Sequence, residues 1–279
     1  VSGELTITLL GTGSPLPDPN RAGPSTLVRG AGVTVLVDAG RGVVTRLAGA
    51  GSLPLLLDAV LLTHLHSDHI CDLNDVITTR WVMSPGPNPL AVYGPAGTAR
   101  VVEGILAMLS ADVSYRLAHH ADLNDPPGVT VHEVAPGDTF TVGTATVQVG
   151  ATDHRPVAPT VGYRVSLEGT SVVLAGDGVP CAGLDELVAG ATAYVQTVIR
   201  EDLVAQVPSE RFQDICDYHS TVAQAADTAA RAGVGTLVLT HYVPAPPLGQ
   251  YDEWRERAGA FGGQLVLGDD LTSVTVGER

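Results

Sequence analysis

The amino-acid sequence predicts an α/β fold of four layers, two β-sheets packed face to face with helices on both outer sides (αββα). Three observations carry that expectation. Short apolar runs of strand length alternate with isolated helical patterns in both halves of the chain. Gly- and Pro-rich turns punctuate the runs at close intervals. No tandem repeat, low-complexity segment or linker interrupts the 279 residues, and candidate site residues come from both halves, so a single domain over 1–279 is expected.

Taken in order, alternation at 5–10, 25–29 and 33–37 marks an opening β-meander, separated by turns such as Gly11-Thr12-Gly13-Ser14-Pro15. Ala59-Val60-Leu61-Leu62-Thr63 reads as a buried strand, and a histidine cluster follows at its end. Residues 70–82 have helical spacing; Pro85, Pro87 and Pro89 then break the chain before a strand at 90–93, and a helix fits 96–110. The second half reads as strands near 129–134, 139–149, 161–167 and 171–175, a helix near 183–189, and strands at 193–198 and 236–239. An Ala-rich helix fits 221–232.

Composition narrows the function classes. Hydrophobic residues make up 44% of the chain and charged ones 16%, yet no apolar run approaches the roughly 20 residues of a membrane span. No membrane partner is expected. The opening strand Leu5-Thr6-Ile7-Thr8-Leu9 has no signal-peptide pattern, which gives the cytoplasm as the expected compartment. Cys71, Cys181 and Cys216 are widely spaced and read as buried thiols of a reducing compartment. A formal charge of −15, from 15 basic against 30 acidic side chains, argues against extended nucleic-acid binding, which depends on neutralising phosphates.

Three of the nine histidines fall in His64-Leu65-His66-Ser67-Asp68-His69. Imidazole and carboxylate together suit zinc, manganese or iron, and the absence of thiolate from the cluster disfavours a structural zinc knuckle. On a loop, alternate residues face opposite ways, so His64 and His66 can serve one metal while Asp68 and His69 serve a second.

This cluster resembles the metallo-β-lactamase superfamily signature His-x-His-x-Asp-His. The family's other ligand positions are filled in order, each at a strand end: Thr152-Asp153-His154, Ala175-Gly176-Asp177 and Leu239-Thr240-His241. The resemblance implies the four-layer metallo-β-lactamase sandwich and two metal ions, zinc first with manganese or iron as alternatives. They would be held by His64, His66, Asp68, His69, His154, Asp177 and His241. Asp177 would bridge the ions, a bridging hydroxide would attack the substrate, and Asp68 would both ligate and carry a proton. Leu10-Gly11-Thr12-Gly13-Ser14-Pro15, Asp38 and His219-Ser220-Thr221 are similar to motifs of the ribonuclease Z branch. There, His219 would stabilise or protonate the leaving oxygen.

Two departures from that branch bear on substrate. A long tRNA-gripping arm is expected between the third histidine and the bridging aspartate, but only residues 155 to 176 separate His154 from Asp177. The carboxylate expected to orient His219 is missing, because the chain reads Gln196-Thr197-Val198-Ile199; Glu201, Asp202, Asp214 and Asp217 are candidate substitutes. The expectation is therefore an arm-less hydrolase of small or flexible phosphodiesters, and the family implies a homodimer. An arylsulfatase or lactonase-like hydrolase of small sulfate esters or lactones, a true tRNA 3′-processing enzyme and a catalytically silent metal-binding subunit remain alternatives. His119, His120 and His132 match no motif, and His119-His120 reads as an exposed loop.

Overall fold

A computed structural model of the chain describes residues 3–259 and 261–277. Two mixed sheets form the centre. The first contains β1 (Leu5–Gly11), β2 (Ser25–Gly30), β3 (Val33–Val37), β4 (Ala59–Leu61), β5 (Leu90–Gly94) and β6 (Val129–Glu133), in that spatial order. The second contains β7 (Thr139–Val142), β8 (Ala145–Ala151), β9 (Val161–Leu167), β10 (Thr170–Leu174), β11 (Ala193–Ile199), β12 (Thr236–Val243) and β13 (Gln264–Leu267), also side by side in order. The last strand, β14 (Ser273–Val276), returns to the first sheet and pairs antiparallel with β1.

Period-two alternation decides which face each strand turns inward. Leu5, Ile7 and Leu9 of β1, Val33, Val35 and Val37 of β3, Val172 and Leu174 of β10, and Ala193 and Val195 of β11 join one buried cluster between the sheets. Their neighbours point outward under helices. Leu36 and Val60 pack beneath α1 (Val43–Gly49), α3 (Leu73–Met83) and α4 (Thr98–Met108), through Val43, Leu47, Leu73, Val76 and Val102. Val173, Tyr194, Leu237 and Leu239 pack beneath α6 (Ala182–Val188), α9 (Val222–Arg231) and α10 (Asp252–Arg257). β4 is apolar on both faces because both are covered, whereas β1 carries Thr6 and Thr8 on its outer face. Each buried Val or Leu side chain contributes about 1.5–3 kcal/mol, so a one-residue register slip, exchanging the two faces, is opposed by the whole strand.

Several sequence expectations need correction. The run 139–149 is two strands, β7 and β8, because the chain reverses at Gly143, where φ is +54° and an added Cβ would lie 2.2 Å from the Gly32 carbonyl oxygen. The strand expected to reach Thr63 ends at Leu61, and the helix expected over 96–110 is followed at once by α5 (Ser110–His119). His119 therefore ends a helix instead of lying in a loop, although it and His120 are exposed. His132 is exposed on β6 and stacks on Tyr93, ring centres 4.5 Å apart. Cys71 is exposed and the other two thiols are half-buried, so the cysteines are free thiols but not core residues. Elements α1, α10, β13 and β14 and the helical turns over 201–217 were not anticipated. Among the described residues, no helix is long and apolar enough to cross a membrane.

One buried cation fastens the start of the chain to its end, beside the histidine cluster. The Arg21 guanidinium donates to Thr12 Oγ1 (2.6 Å), the Pro246 carbonyl (3.0 Å), the Tyr251 hydroxyl (3.0 Å) and Asp269 Oδ1 (2.9 Å). Asp270 accepts from the Thr12 and Ala22 backbone N–H groups at 2.9 and 2.7 Å, and Tyr242 N–H donates to the Thr12 carbonyl at 3.1 Å. The Gly11–Pro15 loop is thereby held against the strand that carries His241. Arg21→Met strands several buried acceptors and is expected to cost about 3 kcal/mol, read as a lower urea midpoint at unchanged slope.

Candidate metal centre

Every proposed ligand except His241 follows the end of a strand in one of the two sheets. Past β4 the chain releases His64 and His66, then forms the single turn α2 (Ser67–Ile70), which carries Asp68 and His69. His154 follows β8, and Asp177 follows β10 by way of Gly176. At Gly176 φ is +68° and an added Cβ would lie 2.6 Å from that of Thr63, so glycine lets the aspartate turn inward against the His64 strand end. His241 lies within β12, which continues to Val243 beyond the expected end, and it takes a left-handed φ of 49°. His219 precedes α9, whose N-cap Thr221 forms a capping box with Gln224. Capping belongs to Thr221, which leaves His219 facing the cluster.

The structure brings all seven of these side chains together with His219. Asp177 Oδ2 is the hub: the Nε2 atoms of His219, His69, His241, His64 and His154 lie 3.3, 3.4, 3.4, 4.0 and 4.0 Å away. On one side, His66 Nδ1 lies 3.1 Å from His64 Nε2 and 3.4 Å from His154 Nε2. On the other, Asp68 Oδ2 lies 3.3 Å from His241 Nε2 and 3.6 Å from His69 Nε2. Two groups result, each with its candidate ligand atoms within 4.8 Å of one another: His64, His66, His154 and Asp177, then Asp68, His69 and His241. Asp177, His219 and His241 make a third.

A donor set of this kind fits divalent cations. Nitrogen lone pairs and carboxylate oxygens converge with few protons to share, and the buried His69 Nε2 and Asp177 Oδ1 have no hydrogen-bond partner. The electrostatics of the side chains themselves reflect that frustration. Burial and the neighbouring His69 push His64 well below the usual imidazole range, and burial pushes His154 down to about 4. Burial alone would raise Asp177, but the imidazoles of His241 and His69 hold it well below the usual carboxylate range.

The outer atoms of the rings are held as well. Asp38, at the end of β3 with φ 62°, takes His69 Nδ1 at 2.8 Å and accepts from the Thr63 backbone N–H at 2.8 Å and Oγ1 at 2.9 Å. Thr63 Oγ1 in turn meets His64 Nδ1 at 3.0 Å. His154 Nδ1 donates to the Tyr218 carbonyl at 2.8 Å. Such contacts fix the tautomer and aim of a ligating imidazole. Asp38 is legible as part of a motif but without a role, and Thr63 and Tyr218 have neither; the only signal for the last two is that they adjoin His64 and His219 in the chain.

None of Glu201, Asp202, Asp214 and Asp217 replaces the missing carboxylate. His219 Nδ1 donates to the Ile215 carbonyl oxygen at 2.8 Å instead. Thr197, at the position where the acid was sought, is buried and donates through Oγ1 to the Gly176 carbonyl at 3.0 Å, so it steadies the Asp177 loop. Ser220 Oγ donates to the Gly178 carbonyl at 2.7 Å and ties the two loops together.

A family model described as the beta-lactamase superfamily domain matches residues 33–242. A protein named ribonuclease Z from Mycobacterium avium (strain 104) is 60% identical over 273 residues, covering 97% of this chain and 98% of its own. The chain belongs to the ribonuclease Z family of the β-lactamase superfamily. Two solved structures of lower identity share the fold. The metallo-beta-lactamase fold protein YhfI from Bacillus subtilis superposes with a TM-score of 0.74 at 21% identity, covering 98% of this chain and 99% of its own. Human tRNase Z, short form, superposes with a TM-score of 0.71 at 24% identity, covering 96% and 98%. The family and the His/Asp cluster together make the protein a metal-dependent hydrolase of ester bonds.

Proposed function

We propose that the protein is a two-zinc phosphodiesterase of ribonuclease Z type that acts on small or flexible phosphodiesters, unstructured RNA among them, without gripping a folded tRNA. The observation that carries this reading is the convergence of six ligands and His219 on Asp177, in a chain 60% identical to a protein named ribonuclease Z. That name brings RNA into the reading, where the missing arm and the acidic charge argued for small or flexible phosphodiesters. Residues 161–174, which form the short β9–β10 hairpin, together with the charge of −15, support a flexible substrate over a docked one.

On this reading His64, His66 and His154 hold one cation, Asp68, His69 and His241 hold the other, and Asp177 serves both. Ligands from both sheets support one catalytic domain over 1–279. Bound there, the cations would supply a lowered water pKa, to about 7, and neutralise charge developing at phosphorus. Asp68 would accept the proton that the attacking water gives up. His219, its Nδ1–H held by the Ile215 carbonyl, presents Nε2 to the departing oxygen and supplies its proton.

The test compares substrates on one metal-loaded preparation. Bis-aryl phosphate should turn over well above aryl sulfate and lactone. Folded pre-tRNA should be cleaved at least about 100-fold less efficiently than by an arm-bearing enzyme, equivalent to about 2.7 kcal/mol of transition-state binding. Efficient, accurate pre-tRNA processing at physiological salt would overturn the substrate class, and preference for the sulfate ester or lactone would move the protein to another chemistry on the same scaffold.

A further inference from the structure

One cavity opens directly onto the cluster and holds about 240 Å³. His66, Asp68, Asp177, His219 and His241 line its inner end. Its other walls are largely apolar: Leu16 from the loop after β1, Phe212 from α8 (Glu210–Asp214), Ile215 from the turn that follows, and Val243 from the end of β12. Leu16 is 43% exposed, a large apolar side chain left open to solvent at the rim.

Arg211 lines the same cavity and is exposed; among the described residues it has no ion-pair partner. All 15 basic side chains of this chain are arginines, outnumbered by 30 acids. In so acidic a protein, an unpaired guanidinium beside a cluster of metal-ligating side chains offers a fork for a phosphoryl oxygen. Apolar walls with few polar groups recognise an uncharged ring, and the volume admits one substituent, not a duplex. A stacked base in a helix cannot enter such a pocket, whereas an unstacked one can.

We infer that this cavity is a subsite for a flat, uncharged aromatic ring on one ester group of the substrate, seated between Leu16 and Phe212 with Arg211 on a non-bridging phosphoryl oxygen. The inference rests on the phosphodiesterase reading above and narrows its substrates to aryl esters and unstacked nucleotides.

The test is calorimetric titration of the metal-loaded protein with phenylphosphonate and methylphosphonate, which share a head group and differ in the ring. Phenylphosphonate should bind about 10- to 100-fold more tightly, the value of burying one ring. Leu16→Ala and Phe212→Ala should each cut that ratio about threefold or more and leave methylphosphonate affinity unchanged. Arg211→Gln should weaken both ligands about tenfold and preserve the ratio. Phe212 also packs against Ile199, Val204 and Val243, so the rim variant Leu16→Ala decides the matter if Phe212→Ala is unstable. Equal affinities in the unmodified protein, no binding of either phosphonate, or a ratio untouched by Leu16→Ala would overturn the subsite. Turnover of bis(4-nitrophenyl) phosphate by the same preparation separates the two readings. Turnover without ring selectivity defeats the subsite alone, and ring selectivity without turnover defeats the phosphodiesterase reading alone.

Discussion

His219→Ala is expected to retain its full metal content while losing about 10²- to 10⁴-fold in turnover. The ring is buried, its Nδ1–H is fixed on the Ile215 carbonyl, and its Nε2 lies 3.3 Å from Asp177 Oδ2 at the edge of the cavity. That geometry presents one nitrogen to a departing oxygen. The loss should depend on the leaving group: an alkoxide of high pKa needs the proton, whereas a nitrophenolate departs nearly unaided, so the defect should shrink along a series of better leaving groups. A carbonyl dipole also stabilises an imidazolium less than a carboxylate would. Thr197→Glu does not offer a simple remedy, since Thr197 is buried and already bonded to the Gly176 carbonyl. The competing role is ligation, because His219 shares a group with Asp177 and His241. Elemental analysis of the variant decides between them: a lost metal equivalent would make His219 a ligand, and an equal, small rate loss on every leaving group would remove it from proton transfer.

What was legible in the sequence was whatever is written locally. The His64–His69 cluster, the Gly-Asp pair at 176–177 and the apolar run that reaches His241 are contiguous patterns, since a strand covered on both faces reads as a near-continuous apolar run, while the strand ahead of His154 is marked by alternation. The alternation of strands and helices suits four layers without proving them, and the family resemblance completes that expectation. What the sequence withheld depends on distant contact. The His219 orienting partner is a backbone carbonyl, and every residue has one, so no side-chain motif announces Ile215. The cavity walls over 201–217 are short turns with no periodicity, held by Phe212 and Ile215 packing on Ile199 and Val243. Strands β13 and β14 lie at sheet edges with exposed positions in their patterns, which weakens the apolar signal. The cysteines misled for a related reason: composition favours burial for a thiol, but Cys71 caps α2 on an exposed shoulder next to the centre.

Asp177→Ala should have the widest effect of any single change, abolishing tight binding at both metal groups and lowering turnover by at least about 10³-fold. The unmodified protein should carry close to two equivalents of divalent metal. Five imidazole nitrogens stand within 4.0 Å of Asp177 Oδ2, and both neighbouring groups depend on that one carboxylate for negative charge at their junction. Asp38→Ala provides the contrast. Asp38 touches no other group's ligand directly: it holds His69 Nδ1 at 2.8 Å and reaches His64 only through Thr63. Losing such a support typically weakens metal affinity about 10- to 100-fold. The weakening should fall mainly on the group of Asp68, His69 and His241. Zinc titrations of the two variants should therefore differ in kind, with two weakened steps for Asp177→Ala and one for Asp38→Ala. A single equivalent in the unmodified protein, with no second step on adding zinc or manganese, would defeat the binuclear reading. Two intact steps in Asp177→Ala would show that the carboxylate at the hub of the cluster is not shared between the ions.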